Sequence, residues 1–244
     1  MESNLDIEYI QKFKSYFMPS NETFIKLQSP SCMVVAGSTG SGKTYNTMMI
    51  CEHCDIMYKE PVLEIQYRYH TWQPLYSKMQ STLSNKSIEF KKGVPTEQEI
   101  INFAGNTEEH PHRLLILDDL AQRIVNDKDM CDLFTILSHH KNISCIFIVQ
   151  NLFTKGRFAR DISLQYQYII FMKSVRSSQQ LVTMARQIYQ KQKVDFVVKA
   201  YNDVCSGKKW GYILLDCAHE SEDAYRLRTG IFPGEITIVY KPIN

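Results

Sequence analysis

The chain has 244 residues, 44% hydrophobic and 22% charged, with 10 Gly and 8 Pro. That is enough apolar chain for one core of ordinary globular size and too much for a disordered, collagenous or linker protein. Net charge is only +2, which excludes a uniformly basic surface. No apolar run exceeds about five residues, as at Cys145 to Val149, against the roughly 20 of a spanning helix. The start carries Glu2, Asp6 and Glu8 and lacks a basic region followed by an apolar one, so neither a signal nor a transit peptide is expected and the chain is expected in the cytosol. Seven cysteines, an odd number, fit free thiols in a reducing compartment.

In chain order, Ile7, Ile10, Phe13 and Phe17 stand at helical spacing before Pro19, which predicts a helical extension over residues 1–29 added to a single domain of residues 30–244. Short apolar runs then recur at Met33 to Ala36, Val62 to Ile65, Leu114 to Leu117, Cys145 to Val149, Tyr168 to Met172 and Tyr212 to Leu215. Runs with so little alternation read as strands buried on both faces of a mostly parallel sheet. Helical spacing fills Thr44 to Cys54, Asp129 to His139, Ser178 to Tyr189 and Val194 to Val204. Strands alternating with helices give an α/β fold, a central sheet flanked by helices. Ile88 to Pro111, punctuated by Gly93, Pro95 and Gly105, reads as loop-rich.

Gly37-Ser38-Thr39-Gly40-Ser41-Gly42-Lys43-Thr44 matches GxxxxGK[ST] in full, after a strand and before a helix. This is the context a P-loop needs. The glycines let backbone N–H groups face a phosphate, and the helix N-terminus adds its positive end. Lys43 is the expected contact to the β- and γ-phosphates of ATP, and the Thr44 hydroxyl the expected Mg²⁺ ligand. A second metal handle follows the apolar run Leu114 to Leu117, where Asp118 is placed to hold Mg²⁺. Asp119 stands where many P-loop ATPases carry the carboxylate that activates the attacking water, although Glu is commoner there. Its alternative is a helix N-cap. Gln150, just past the run Ser144 to Val149, falls at the crevice end of a parallel strand and is expected to contact the γ-phosphate or the lytic water, or else to cap the turn.

Three further sets of residues have plain structural readings beside functional ones. Cys51 and Cys54 form a CxxC without the second pair a zinc site needs, and positions three apart on a helix share a face. His139 and His140 lack acidic or thiol partners at ligand spacing. The segment Lys155 to Lys193 holds eight basic residues (Lys155, Arg157, Arg160, Lys173, Arg176, Arg186, Lys191, Lys193) and one acid, Asp161, which makes it +7 and the remainder −5. Such asymmetry marks either the footprint of an anionic partner or a solvated basic face.

The order of the phosphate loop, Leu114 to Asp119, and His139-His140-Lys-Asn142-Ile-Ser144 leading to Gln150-Asn151-Leu-Phe153 resembles the viral genome-packaging ATPases of the FtsK/HerA class, found in poxviruses, other large DNA viruses and adintovirus-like or polinton-like elements. Arg160-Asp-Ile-Ser163, Tyr168-Ile-Ile-Phe171 and Arg226-Leu-Arg228-Thr-Gly-Ile-Phe-Pro233 are also similar to that family, so the resemblance covers most of residues 30 to 235. It implies a RecA-like core of the additional-strand class, assembled as a pentameric or hexameric homo-oligomeric ring that threads double-stranded DNA into a capsid. It also places Gln150 at the sensor position and requires an arginine reaching a neighbour's nucleotide, for which Arg160, then Arg157, is the candidate. Capsid or portal proteins are the implied partners, and the implied location is the intracellular site of virus assembly, or the virion. A P-loop nucleoside or nucleotide kinase is the alternative enzyme class. A nucleotide-dependent assembly factor without turnover is the third reading.

Overall fold

The computed structural model describes residues 7–10, 25–105, 110–174, 178–189 and 194–242. Ten strands form a single sheet in the order β1-β10-β9-β8-β7-β2-β6-β5-β3-β4. In chain order they are β1 Ile7–Ile10, β2 Cys32–Ala36, β3 Glu64–Tyr69, β4 Ile88–Lys92, β5 Arg113–Asp118, β6 Ile143–Val149, β7 Tyr168–Met172, β8 Tyr212–Asp216, β9 Leu227–Thr229 and β10 Ile238–Pro242. From β7 to β4 every pairing is parallel, while β8, β9, β10 and β1 extend the other side antiparallel. The strand β6 lies between β2 and β5, so the chain has the inserted strand of the additional-strand class.

Both faces of the sheet are covered, which explains the unbroken apolar runs. On β2, Cys32, Val34 and Ala36 enter one core layer, and Met33 and Val35 the other. The helix α1 (Lys43–Met57) buries Met48, Ile50, Cys51, Cys54 and Met57 in the second layer. The first layer takes Met130 of α5 (Lys128–Asp132), which α6 (Ser138–His140) follows, with Leu181 and Ala185 of α8 (Ser178–Ile188) and Phe196, Val197, Ala200 and Val204 of α9 (Val194–Cys205). Cys51 and Cys54 therefore have the structural role: both are buried core thiols, raised by burial, Cys54 to about 11.

Three expectations need correction. Ile7–Ile10 is not helical: it pairs antiparallel with β10, Ile7 opposite Pro242 and Ile10 opposite Val239. An open sheet edge offers unpaired N–H and C=O groups, and such a ladder outweighs a four-residue helical pattern. Phe13 and Phe17 lie outside the described residues. The strand expected over Val62 to Ile65 is β3, which starts at Glu64 and runs on to Tyr69 through polar residues that find partners inside. Arg68 Nε donates to Gln66 Oε1 at 2.9 Å, and the Arg68 guanidinium pairs with Glu99 at 2.9 Å. The loop-rich reading of Ile88 to Pro111 overlooks β4 and α3 (Glu97–Ala104). A full capping box starts α3, with Thr96 Oγ1 accepting from Glu99 N and Glu99 Oε2 accepting from Thr96 N. These bonds to the backbone and to Arg68 hold the Glu99 carboxyl below its usual range.

Candidate nucleotide-binding site

Register brings the phosphate loop, the acidic pair and Gln150 to one edge. Ala36 pairs with Val149, and Asp118 with Ile148, so the chain leaves β2, β5 and β6 at nearly one level, the carboxyl ends of parallel strands where α/β ligand sites form. A cavity of about 810 Å³ opens there. Its wall includes Thr39, Gly40, Gly42, Lys43, Thr44, Asp118, Asp119, Gln150 and Asn151.

The loop is built around backbone rather than side chains. Gly37 N donates to Val149 O at 3.2 Å, and a Cβ on Gly37 would stand 2.7 Å from Ser41 Oγ and 2.8 Å from Met172 Cβ. Gly42 adopts φ 95°, a left-handed conformation that suits glycine, and turns the chain directly into α1. That helix has no side-chain cap and no acid in its first turn, so its first N–H groups are left for an anion. Lys43 Nζ donates to Gly37 O at 2.7 Å and Ser38 O at 2.9 Å, folding the ammonium over the loop. Burial lowers the Lys43 pKa, against the opposing pull of Asp118 and Asp119.

Asp118 is held on several sides. Its Oδ2 accepts from Tyr67 Oη at 2.6 Å, Tyr76 Oη at 2.9 Å and Thr44 Oγ1 at 3.4 Å. Burial raises its pKa, while the two tyrosine hydroxyls and Lys43 pull it back down. Tyr67, at the sheet, and Tyr76, in α2 (Pro74–Thr82), are fixed by an aromatic cluster that includes Phe90 and Trp72, with Tyr67–Tyr76 centroids 5.1 Å apart and Trp72–Tyr76 5.5 Å. Asp119 behaves differently. It is exposed to the cavity, has φ 57°, and does not cap the helix that follows: Leu120 is the N-cap of α4 (Ala121–Ile124), without a side-chain bond.

Gln150 is also exposed into the cavity. The turn after β6 is tied instead by Asn151, whose Oδ1 accepts from Phe153 N at 2.9 Å and whose carbonyl accepts from Thr154 Oγ1 at 2.7 Å. Arg160 lies on α7 (Ala159–Ser163), exposed and not on the wall of this cavity. Arg157 is exposed as well, its guanidinium 5.2 Å from the Phe158 ring centroid. His139 and His140 are exposed, and the described residues contain no cluster of three His, Cys, Asp or Glu side chains fit to hold a metal. Of the basic segment, Lys155, Lys173 and Arg186 are exposed, while Arg176, Lys191 and Lys193 lie outside the described residues.

Several cavity residues escape sequence reasoning. Arg123 of α4, His70 and Gln73 from the β3–α2 connection, Tyr45 and Trp210 all line the wall. Tyr67 and Tyr76 stand behind Asp118. The aromatic run Tyr67-Arg-Tyr69-His-Thr-Trp72 was a visible signal for that wall. Trp210 had none, because only the fold brings the α9–β8 turn to the phosphate loop.

The family model for the poxvirus A32 protein matches residues 23–233. The chain belongs to the poxvirus A32 family. Comparison with individual curated proteins finds no match. Among solved structures, this A32-family chain is similar to the genome packaging NTPase B204 from Sulfolobus turreted icosahedral virus 2 in complex with ATP-γ-S, at 12% identity and TM-score 0.54 over 88% of this chain and 98% of that one. The complex of the same protein with AMPPCP gives 14% identity and TM-score 0.52 over 88% and 98%. B204, the DNA-packaging ATPase from Sulfolobus turreted icosahedral virus, gives 14% and 0.51 over 88% and 99%. At such identities the likeness is one of fold.

The Arg226 to Pro233 segment, so characteristic in sequence, has a structural role here. Arg228 Nη1 donates to Asp216 Oδ2 at 2.8 Å and Tyr225 O at 2.7 Å, in a pair whose side chains are each 2% exposed. Arg226 Nη1 donates to the carbonyls of Asp216 and Ala218, both at 3.1 Å. Thr229 Oγ1 donates to Tyr212 O at 2.7 Å. These bonds fasten β9 to β8.

Proposed function

We propose that this chain is an ATP-hydrolysing motor that moves double-stranded DNA into a viral capsid. The observation that carries the reading is the convergence of Lys43, Thr44, Asp118, Asp119 and Gln150 on one cavity at the carboxyl edge of the sheet. Family membership and the likeness to B204, a genome packaging NTPase, support it.

The loop amides of Gly37 to Thr44 bind the phosphates, with the N-terminus of α1 behind them. Lys43 supplies the mobile cation for the β- and γ-phosphates. Thr44 Oγ1 and Asp118 Oδ2, 3.4 Å apart, form a hard oxygen pair that fits Mg²⁺. When bound, that ion neutralises charge on the phosphate oxygens. Tyr67 and Tyr76 orient Asp118. Asp119 accepts a proton from the attacking water as the new bond from oxygen to the γ-phosphorus forms and the bond to the bridging oxygen breaks, releasing ADP and phosphate. Gln150 orients that water. Residues 30–244 act as the ATPase unit.

Arg160, exposed and off its own cavity, is assigned to the site of the next subunit in a ring. An added arginine in trans is worth roughly 10³ to 10⁵ in rate where phosphoryl transfer uses one. Lys155, Arg157 and Arg186 offer exposed cations for duplex phosphates, so binding is independent of sequence and weakens steeply with salt. Capsid or portal components are the further partners, at the site of virus assembly.

The deciding experiment measures ATPase rate with and without double-stranded DNA. Strong stimulation is expected. Turnover unaffected by DNA, or phosphate passed to a nucleoside acceptor rather than water, overturns the motor reading.

A further inference from the structure

Trp210 occupies the turn between α9 and β8, 44% exposed, and lines the same cavity as Lys43 and Thr44. Its ring is nevertheless fixed in place. Gly42 lies against it so closely that an added Cβ would stand 3.1 Å from both Cγ and Cδ1. The Tyr45 ring centroid is 5.2 Å away at 34°, and Lys209 Nζ lies 5.0 Å from the indole centroid. A large ring packed on the phosphate loop, yet open to solvent over nearly half its surface, is not explained by the core. A nucleotide whose phosphates rest on that loop has a flat aromatic ring at its other end.

Resting on the nucleotide-binding reading above, we propose that Trp210 is the base-stacking residue of this site, taking the face of the purine whose phosphates the Gly37–Thr44 loop holds. Tyr45, next to Thr44, backs the indole, and the Lys209 ammonium lies over the ring. Stacking reads the π face, which every base has, and its strength follows ring area and not the pattern of donors and acceptors. Trp210 therefore selects purine over pyrimidine and treats adenine and guanine nearly alike.

The chain has two tryptophans, so Trp72→Phe leaves Trp210 as the sole indole reporter. ATP and GTP should quench its fluorescence to a similar degree, UTP less, and inorganic tripolyphosphate very little. In the otherwise native chain, Trp210→Ala should weaken ATP binding about ten-fold or more, measured by calorimetry, with tripolyphosphate affinity unchanged. Trp210→Phe, which keeps an aromatic face, should recover most of the loss. Equal ATP affinity in Trp210→Ala and the native chain overturns the proposal and leaves the phosphate site standing, as does an equal loss for ATP and tripolyphosphate. A native chain that binds neither ATP nor tripolyphosphate overturns the nucleotide reading and this proposal together.

Discussion

Replacing Arg228 with methionine separates what holds this fold together from what does its chemistry. The substitution keeps much of the side-chain volume but leaves the Asp216 carboxylate, itself buried, without the guanidinium at 2.8 Å. Asp216 Oδ1 keeps Ala218 N at 3.0 Å and Ser221 Oγ at 2.8 Å, while Oδ2 loses its ionic partner and Tyr225 O loses a donor at 2.7 Å. Stranding one member of a buried pair costs about 3–5 kcal/mol. Unfolding entropy near 2.1 cal/mol/K per residue gives ~0.5 kcal/mol/K for a chain of this length, so Tm should fall by about 6–10 °C. The double variant D216N/R228M removes the stranded charge and should regain at least half of that. ATP affinity, measured well below the transition, should stay within about two-fold of the native value, because this pair is not on the cavity wall. An R228M protein melting within about 2 °C of native would refute the burial argument, and a ten-fold loss of ATP affinity in the folded variant would place the clip in the site.

Three shorter predictions bear on the site and its frame. Asp119→Asn should bind ATP normally and lower kcat by roughly 10²- to 10⁴-fold, as for loss of a general base; unchanged turnover removes Asp119 from the mechanism. Arg160→Ala and Lys43→Ala proteins, each inactive alone, should regain ATPase activity when mixed, and verified mixed rings without recovery place Arg160 in its own subunit's service. His112, buried with Nδ1 3.0 Å from Glu60 O and Nε2 2.7 Å from Ser144 Oγ, has its pKa lowered by burial. It stays neutral in the fold where the unfolded chain takes up a proton, so stability should decline as pH falls below about 6.5, by at most ~1.4 kcal/mol per pH unit. Tm measured from pH 8 to 5 should fall less steeply for His112→Gln, and equal slopes would refute the assignment.

The parts of the fold that sequence revealed are those where local pattern and buried role coincide. Buried parallel strands carry apolar residues on both faces, so β2, β5, β6 and β7 stood out, and the glycines of residues 37 to 42 could serve little else. The misread parts depend on partners distant in the chain. Gln66 and Arg68 look wrong for a buried strand until Glu99 and the neighbouring strands supply their bonds. Pro74 opens α2 at the one helical turn that needs no N–H. The Thr96–Glu99 capping box that opens α3 is legible in the sequence, though Pro95 and Gly105 on either side suggest loop. Ile7 to Ile10 shows the reverse error, a periodic pattern overruled by an available sheet edge. At the cavity, Lys43, Thr44, Asp118, Asp119 and Gln150 stand in motifs that a sequence can display, whereas Arg123 and Trp210 reach it only through the folded path of the chain.

The left-handed backbone at Asp119 has a consequence for which acid position 119 can carry. At φ 57° a side chain meets its own carbonyl neighbours, a cost that Asp and Asn bear more easily than longer residues. A glutamate there would carry that strain and also push its carboxyl about one methylene further into the cavity. The shorter acid thus suits the left-handed bend after β5. Backbone angle and side-chain length form one setting, so lengthening residue 119 should be tolerated only if the bend relaxes with it.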